Sequence, residues 1–219
     1  MKLTFYFDFL SPYSYLAWCW LRDYMANAPS SLEFSLKPVT MAPLIHAQET
    51  KGPAEIPAKR EYLMRDILRR TQKEQIPFKA PVQLPFNSLY ALRLSLQECA
   101  SLRQTSVVDA FYRKAWEQGA DIGDTEVVHQ VLDSLDLPRR EWMDKVGSKE
   151  ARRQLKLNTK EAIAGGVFGV PTFLVENGSE TEMFWGSDSI HFLKDYLAGE
   201  DPLDKEELKK FQESYTTLE

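Results

Sequence analysis

The chain has 219 residues, of which 43% are hydrophobic and 27% are charged, and its formal net charge is −5. This length and balance exclude disordered, collagen-like and coiled-coil chains, and they predict one large domain, or one domain with an insertion. Such a chain buries on the order of 70% of its unfolded surface, so it needs no disulfide or metal to fold. Acidic and basic residues are interspersed, which argues against a nucleic-acid-binding groove.

The two cysteines, Cys19 and Cys99, are separated from each other and from the histidines His46, His129 and His191. This spacing predicts neither a thiolate metal site nor a disulfide framework. The chain has no apolar run of about eighteen residues, and its first residues lack the basic and apolar segments of a secretory signal. We therefore expect a soluble, cytoplasmic protein in a reducing compartment, with no metal, nucleic-acid or membrane partner.

The first part of the chain predicts a strand, a helix and a second strand. Residues 3–9 are aromatic-rich and almost continuously apolar, as in a strand that is buried on both faces. After the segment SPYS at residues 11–14, apolar residues recur with a helical period over residues 15–24. Residues 32–39 then alternate between apolar and polar, as in a half-exposed strand. This order is a βαβ start.

The middle of the chain, residues 57–165, is rich in Leu, Arg, Glu and Ala and has few β-branched runs. Ser88, Asp124 and Ser148 each precede apolar residues at helical spacing, which is the pattern of a helix N-cap. We predict a block of about five helices in this part of the chain.

The pattern changes again after the glycines at 165 and 166. The predicted elements are a strand over residues 172–175, a turn at Asn177-Gly178, a returning strand over 182–185 and a helix over 190–197. The charged tail from Asp201 onward is expected to fray. The whole chain therefore predicts an α/β fold that carries an all-helical insertion.

Ser11 stands where the first strand passes into the first helix. Ser11 as N-cap with Pro12 at the first helical position is a common way to begin a helix. A hydroxyl here also lies where the helix dipole and free backbone N–H groups favour an anion, and an external thiolate would be stabilised by the same physics. Both interpretations can hold at once.

Pro171 falls at the first residue of a predicted strand, in the segment Gly166–Thr172. Proline cannot donate a ladder hydrogen bond, so it belongs on an edge strand or at a special turn. The alternative is a cis peptide bond between Val170 and Pro171, which would expose the Val170 backbone for pairing with an extended peptide. Only ~5% of X–Pro bonds in folded proteins are cis, so the sequence leaves both alternatives open.

These features in this order resemble the DsbA-like, disulfide-oxidoreductase branch of the thioredoxin superfamily, in which the first helix opens with Cys-x-x-Cys and faces a cis-proline. The resemblance implies a thioredoxin-like domain over residues 1–45 and 160–219 and a helical insertion domain over residues 46–159. Ser11 and Ser14 stand where the two cysteines would be, so this site cannot cycle through a disulfide.

The string FYFDFLSPYSYL at residues 5–16 resembles the opening of 2-hydroxychromene-2-carboxylate isomerases and kappa-class glutathione transferases. In that family the serine that matches Ser11 contacts and activates the sulfur of glutathione, so the resemblance implies glutathione as cofactor and Ser11 as the catalytic residue. It also implies a homodimer. Trp116 and the segment DIGD at residues 121–124 resemble a further signature of the same family.

Other residues match the segments with which the family binds glutathione and the second substrate. The implied glutathione-binding residues are Lys59 for a carboxylate of the tripeptide, the Val170 backbone with Pro171, and Ser187 and Asp188 for the γ-glutamyl end. The implied substrate-binding residues are Tyr13, Thr50, Lys51 and Pro53, and Tyr15 is a second candidate for a pocket wall. Two positions depart from the family, which often has Asn at the position of Thr50 and Arg at the position of Ser189.

Simpler interpretations exist for two of the charged residues. Lys59 can pair with Glu55 at i, i+4 on a solvated helix face. Asp188 can supply negative charge to the first turn of the last helix. Neither interpretation needs a ligand.

The resemblance implies a glutathione-dependent isomerase that acts on aromatic, unsaturated acids like 2-hydroxychromene-2-carboxylate. The thiolate would add to the substrate, a bond would rotate, and elimination would regenerate glutathione. One alternative is a kappa-class-like glutathione transferase that conjugates electrophiles, and another is a non-catalytic thioredoxin-fold module that binds a thiol or peptide.

Overall fold

The computed structural model describes residues 1–214, which form a four-stranded sheet surrounded by helices. The strands are β1 (Lys2–Phe7), β2 (Glu33–Pro38), β3 (Thr172–Asn177) and β4 (Glu180–Trp185), in the spatial order β2-β1-β3-β4. β2 is parallel to β1, whereas β3 and β4 are antiparallel to their neighbours. The predicted βαβ start, the ββα end and the DsbA-like thioredoxin fold are confirmed.

Eleven α-helices lie within the described residues. They are α1 (Pro12–Met25), α2 (Met41–His46), α3 (Pro57–Lys73), α4 (Leu89–Leu94), α5 (Gln97–Ala100), α6 (Gln104–Tyr112), α7 (Thr125–Ser134), α8 (Arg139–Gly147), α9 (Lys149–Ala164), α10 (Ile190–Ala198) and α11 (Lys205–Ser214). A π-helical turn at Arg113–Glu117 continues α6, and single 3-10 turns lie at Pro53–Glu55, Ser101–Arg103 and Ser187–Ser189.

The central strand β1 is covered on both faces, as its almost continuous apolar character predicts. Phe5 and Phe7 are fully buried on one face, where the Phe5 ring lies 6.4 Å from the ring of Trp18 on α1. On the other face, Tyr6 packs against a smaller cluster that contains Val39 and Val167. β1 is therefore a rigid support for the residues that follow it.

The helical block contacts the sheet and α1 through aromatic side chains. Trp116 donates a hydrogen bond from Nε1 to the Phe9 carbonyl oxygen at 2.8 Å, and its ring stacks on Tyr15 with centroids 6.5 Å apart. Buried residues of the sheet, α1 and the helical block form one hydrophobic cluster. The division into residues 1–45 with 160–219 and 46–159 stays a prediction, and its second boundary falls inside α9.

The prediction of about five helices in the block is wrong, because residues 57–165 of the described chain contain seven. The three predicted helix starts are confirmed, since α4, α7 and α9 begin directly after Ser88, Asp124 and Ser148. Asp124 and Ser148 cap their helices through side-chain hydrogen bonds, whereas the Ser88 side chain makes no such bond. The extra helices come from residues 88–112, where the chain turns between short helices and Ser101 adopts a φ of 49°. Serine rarely adopts a positive φ, so a serine at position 101 does not predict this turn.

Two other details differ from the sequence predictions. β3 extends through Asn177, so the hairpin turn lies at Gly178 and Ser179, with Gly178 at a φ of 63°. The tail does not fray over its whole length, because residues 205–214 form α11 and Lys205 pairs with Glu180 on β4 at 2.7 Å. Residues 215–219 of the tail lie outside the described residues.

No helix within residues 1–214 has the length and apolar character needed to span a bilayer. The same residues contain no group of three or more His, Cys, Asp or Glu arranged to hold a metal ion.

Candidate active site

The candidate residues come from four loops at one edge of the sheet, by which we mean the end where β1, β2 and β4 finish and β3 begins. In the register of the sheet, Tyr6 near the end of β1 is opposite Thr172 at the start of β3, and Thr172 is opposite Trp185 at the end of β4. The loop after β1, the segment before β3 and the turn after β4 therefore meet at this edge. β2 ends there too, because it is parallel to β1. The edge thus gathers Ser11, Val170-Pro171, Ser187-Asp188 and the loop that begins after β2.

Ser11 caps α1, and its side chain is nearly buried, with 5% of the residue exposed. Its Oγ atom accepts a hydrogen bond from the Ser14 N–H at 3.2 Å, and Pro12 occupies the first helical position. The cap uses only a lone pair of the oxygen, and no acceptor for the Ser11 O–H lies among the described residues. The simple N-cap interpretation is confirmed, and the hydroxyl proton remains available to an anion.

Asp8 fixes the turn that leads to Ser11. Its buried carboxylate accepts hydrogen bonds from the N–H groups of Leu10 at 3.1 Å and of Met41 at 2.9 Å, and its carbonyl oxygen accepts from the Ser11 N–H at 3.1 Å. Burial raises the pKa of Asp8 more than these bonds lower it. Asp8 therefore joins the active-site turn to the start of α2.

The Val170–Pro171 peptide bond is cis. The segment is held on both sides, because Thr172 Oγ1 donates to the Gly169 carbonyl oxygen at 2.7 Å and the Gly186 N–H donates to the Pro171 carbonyl oxygen at 2.9 Å. Neither the N–H nor the C=O of Val170 has a hydrogen-bond partner among the described residues. The cis alternative is confirmed, and the Val170 backbone is open to pairing with an extended peptide.

Ser187 and Asp188 form the 3-10 turn after β4. The Oγ atom of Ser187 is buried and has no hydrogen-bond partner within the described chain, whereas Asp188 is exposed. Gly186 has a φ of 89°, and a Cβ atom at this position would lie 2.5 Å from Asp188 Oδ1. Only glycine therefore lets the Asp188 carboxylate fold back toward the Pro171 segment.

Tyr13 is half-buried and is held by α3. Its hydroxyl donates to Asp66 Oδ2 at 2.9 Å, and the same oxygen accepts from Arg70 Nε at 2.7 Å. Burial, followed by the bond to Asp66, raises the pKa of Tyr13 far above its usual range, so the phenol stays protonated. Tyr15 is different, because it is buried to 1% and its hydroxyl donates to the Pro77 carbonyl oxygen. Tyr13 remains a candidate pocket wall, and Tyr15 belongs to the core.

Thr50, Lys51, Pro53 and Lys59 lie on the exposed loop after α2 and on the first turn of α3. Among the described residues, none of them makes a hydrogen bond or ion pair to the other candidates, and their roles stay predictions. The expected Glu55–Lys59 pair does not form, because Glu55 Oε1 instead accepts from the Gly52 N–H at 2.7 Å. Lys59 is therefore exposed on the same helix that carries Asp66 and Arg70.

Comparison with known proteins identifies the family to which this chain belongs. The profile of the DSBA-like thioredoxin domain matches residues 2–198. The chain belongs to the DSBA-like thioredoxin family. Within it, the solved structure of a 2-hydroxychromene-2-carboxylate isomerase superposes with a TM-score of 0.81 and 26% identity, covering 91% of this chain and 95% of that one.

Two curated relatives name the activities found in this branch of the DSBA-like family. A 2-hydroxychromene-2-carboxylate isomerase of Sphingobium xenophagum is 27% identical over 89% of this chain and 97% of its own length. Glutathione S-transferase kappa 2 of Caenorhabditis elegans is 27% identical over 90% of this chain and 91% of its own length. These relatives support an enzyme with isomerase or transferase activity.

The two cysteines of this DSBA-like chain lie outside the Ser11-x-x-Ser14 position. Cys19 is buried on α1, and burial raises the pKa of its thiol to about 11, so it is protonated at neutral pH. Cys99 is half-buried on α5, and burial raises the pKa of its thiol as well. Both thiols are free. Neither has the low pKa of a redox-active cysteine.

Sequence reasoning missed Asp8, Asp66 and Arg70. Carboxylates are rarely buried, and Asp8 stands between two phenylalanines at the end of a predicted buried strand. The segment Phe7-Asp8-Phe9 could therefore have indicated a special role for Asp8. Asp66 and Arg70 gave none, because an i, i+4 acid–base pair on a helix usually marks a solvated face.

Proposed function

We propose that this protein is a glutathione-dependent isomerase of aromatic, unsaturated acids like 2-hydroxychromene-2-carboxylate. The observation that carries the proposal is the Ser11 hydroxyl. It is nearly buried at the N-terminus of α1 with its proton free, at the sheet edge where the Val170 backbone is unpaired. A serine in this position can donate a hydrogen bond to a thiolate, but it cannot form a disulfide.

The residues at this edge fit glutathione. The open N–H and C=O groups of Val170 would pair with the cysteinyl backbone, as a strand edge pairs with an extended peptide. Ser187, with its buried and unpaired hydroxyl, and Asp188 would bind the γ-glutamyl end. Lys59 would bind the glycyl carboxylate from the first turn of α3.

Ser11 would act on the acidity of the bound thiol. Its hydroxyl and the dipole of α1 both favour a negative charge at the N-terminus of the helix, so they lower the pKa of a thiol placed there. Bound glutathione would supply the thiolate that adds to the electrophilic carbon and later leaves it. Tyr13, Thr50, Lys51 and Pro53 would border the second substrate, with the Lys51 ammonium available to its carboxylate.

A kappa-class-like glutathione transferase is the second candidate. The same activated thiol serves both reactions, and a kappa-class relative has the same 27% identity as the isomerase of Sphingobium xenophagum. The two functions differ in the fate of glutathione, which an isomerase regenerates and a transferase consumes. A non-catalytic thiol-binding module would use the same edge without chemistry.

An assay with less glutathione than substrate separates these candidates. We expect the protein to convert a hydroxychromene carboxylic acid through many turnovers per glutathione, with the free thiol concentration unchanged. A transferase would instead conjugate a halogenated aromatic electrophile and stop when the thiol is consumed. Binding of glutathione without either reaction would contradict the isomerase proposal and favour the binding module.

We also propose a homodimer in the cytoplasm. The exposed apolar side chains of Met64 and Leu68, which lie one turn apart on the same face of α3, support an interface between two copies. Light scattering on the purified protein checks the dimer, and a monomeric mass at micromolar concentration would contradict it.

A further inference from the structure

Arg70 lies in the wall of a cavity of about 500 Å³ that Ser187 and Asp188 also line. Its Nε atom donates to Asp66 Oδ2 at 2.7 Å, and its guanidinium carbon lies 5.8 Å from the centre of the Tyr13 ring. Within residues 1–214, neither Nη1 nor Nη2 of Arg70 donates a hydrogen bond. These two terminal nitrogens can bind a carboxylate in a bidentate manner.

Asp188 gives the same cavity a charge of opposite sign. Burial lowers the pKa of Arg70, but the carboxylates of Asp66 and Asp188 raise it by more, so Asp188 acts on the guanidinium through space. The two side chains nevertheless form no ion pair in the part of the chain that the structure describes. The cavity is also lined by Asp23, Glu74 and Lys194. Of these charges, Arg70 and Asp188 interact with each other through space, and Asp188 adjoins the unpaired Ser187 hydroxyl at the turn after β4. This pair of opposite charges matches a ligand with both an ammonium and a carboxylate group.

Ser187 adds a polar group to this arrangement. Its Oγ atom is buried and unpaired, and leaving a buried hydroxyl without a partner is unfavourable. A ligand carboxylate or ammonium group in the cavity would satisfy it. The α-amino acid end of a γ-glutamyl group carries both charges on one carbon atom.

We propose that Arg70 binds the α-carboxylate of the γ-glutamyl residue of glutathione, while Asp188 binds its α-ammonium group. This assignment rests on the proposed function and adds to the glutathione site a residue from α3. Because Asp66 Oδ2 accepts from both Arg70 and the Tyr13 hydroxyl, the same carboxylate fixes the side chains of Arg70 and Tyr13 relative to each other.

Two glutathione analogues test each half of the assignment by calorimetry. The 4-aminobutanoyl analogue of glutathione lacks only the α-carboxylate, and the glutaryl analogue lacks only the α-ammonium group. We expect Arg70→Met to weaken glutathione binding about ten- to a hundredfold, and to change the Kd of the 4-aminobutanoyl analogue less than about twofold. We expect Asp188→Asn to weaken glutathione binding but to leave the glutaryl analogue within about twofold.

Arg69→Met is the matched control, because Arg69 is the exposed neighbour of Arg70 on α3. It should leave all three Kd values unchanged. Asp66→Asn frees Tyr13 but keeps the guanidinium, so it should preserve the preference of the protein for glutathione over the 4-aminobutanoyl analogue.

The outcomes separate this inference from the proposed function. If the native protein binds glutathione but Arg70→Met weakens both peptides equally, or weakens neither, the assignment of Arg70 is wrong and the proposed function stands. If the native protein binds no glutathione at millimolar concentration, the proposed function fails and the assignment fails with it.

Discussion

Replacing Ser11 by alanine should lower kcat of the glutathione-dependent reaction about a hundredfold, the usual cost of removing one hydrogen-bond donor to a reacting anion. The Kd for glutathione should change less than about threefold, because most contacts of an extended peptide lie along the Val170 backbone and at the γ-glutamyl end. The split is expected because the Ser11 proton has no acceptor among the described residues, so the proposed function leaves it to act on the thiolate alone.

Two control variants isolate this role. Ser148→Ala removes an equivalent N-cap from α9, whose bond to the Ala151 N–H is 3.0 Å long, so it reproduces the stability loss of about 1 kcal/mol without affecting kcat. Ser14→Ala removes a fully buried hydroxyl that faces Tyr112, and it should also leave kcat unchanged. A Ser11→Ala protein with native kcat would contradict the catalytic role of Ser11.

Replacing Asp8 by alanine should lower the free energy of unfolding by about 2–4 kcal/mol, because it leaves the partly buried N–H groups of Leu10 and Met41 without their acceptor. Asp8→Asn keeps one acceptor oxygen and should lose about half as much. Chemical denaturation of the three proteins measures these differences. Asp23→Ala, which removes an exposed carboxylate on α1, is the control and should cost less than about 0.5 kcal/mol.

The loss at Asp8 should depend on pH. Burial raises the pKa of Asp8 in the folded protein above the ordinary value of 3.8, so the folded state holds this proton where the unfolded chain has released it. The contribution of Asp8 to the free energy of unfolding therefore falls as the pH rises from 3.8 through the folded pKa. The difference between native protein and Asp8→Ala should shrink over the same range. A difference that grows with pH would contradict the raised pKa.

The sequence predicted the parts of the site that depend on local order. The buried strand, the Ser11 cap and Pro12 follow one another in the chain, so the start of α1 could be predicted from neighbouring residues. The resemblance added the cis bond before Pro171, which local preference alone leaves open. The resemblance, and not local order, also singled out Ser187 and Asp188, which form the turn after β4.

Contacts between distant parts of the chain could not be predicted. Asp8 bonds to Met41 at the start of α2, and nothing in the spacing of these two residues shows that they meet. Arg70 has an ordinary i, i+4 partner in Asp66, and only the packing of α3 against α1 brings it to Tyr13. The number of helices was wrong for a similar reason, because left-handed turns at residues such as Ser101 follow from packing rather than from residue type.

An ultraviolet difference titration of glutathione with the native protein at neutral pH tests the central claim, that Ser11 and the N-terminus of α1 activate a bound thiol. We predict a saturable increase in thiolate absorbance that is retained by Ser14→Ala and lost by Ser11→Ala. Saturable binding of millimolar glutathione without a thiolate signal, or a signal that Ser11→Ala retains, would contradict it.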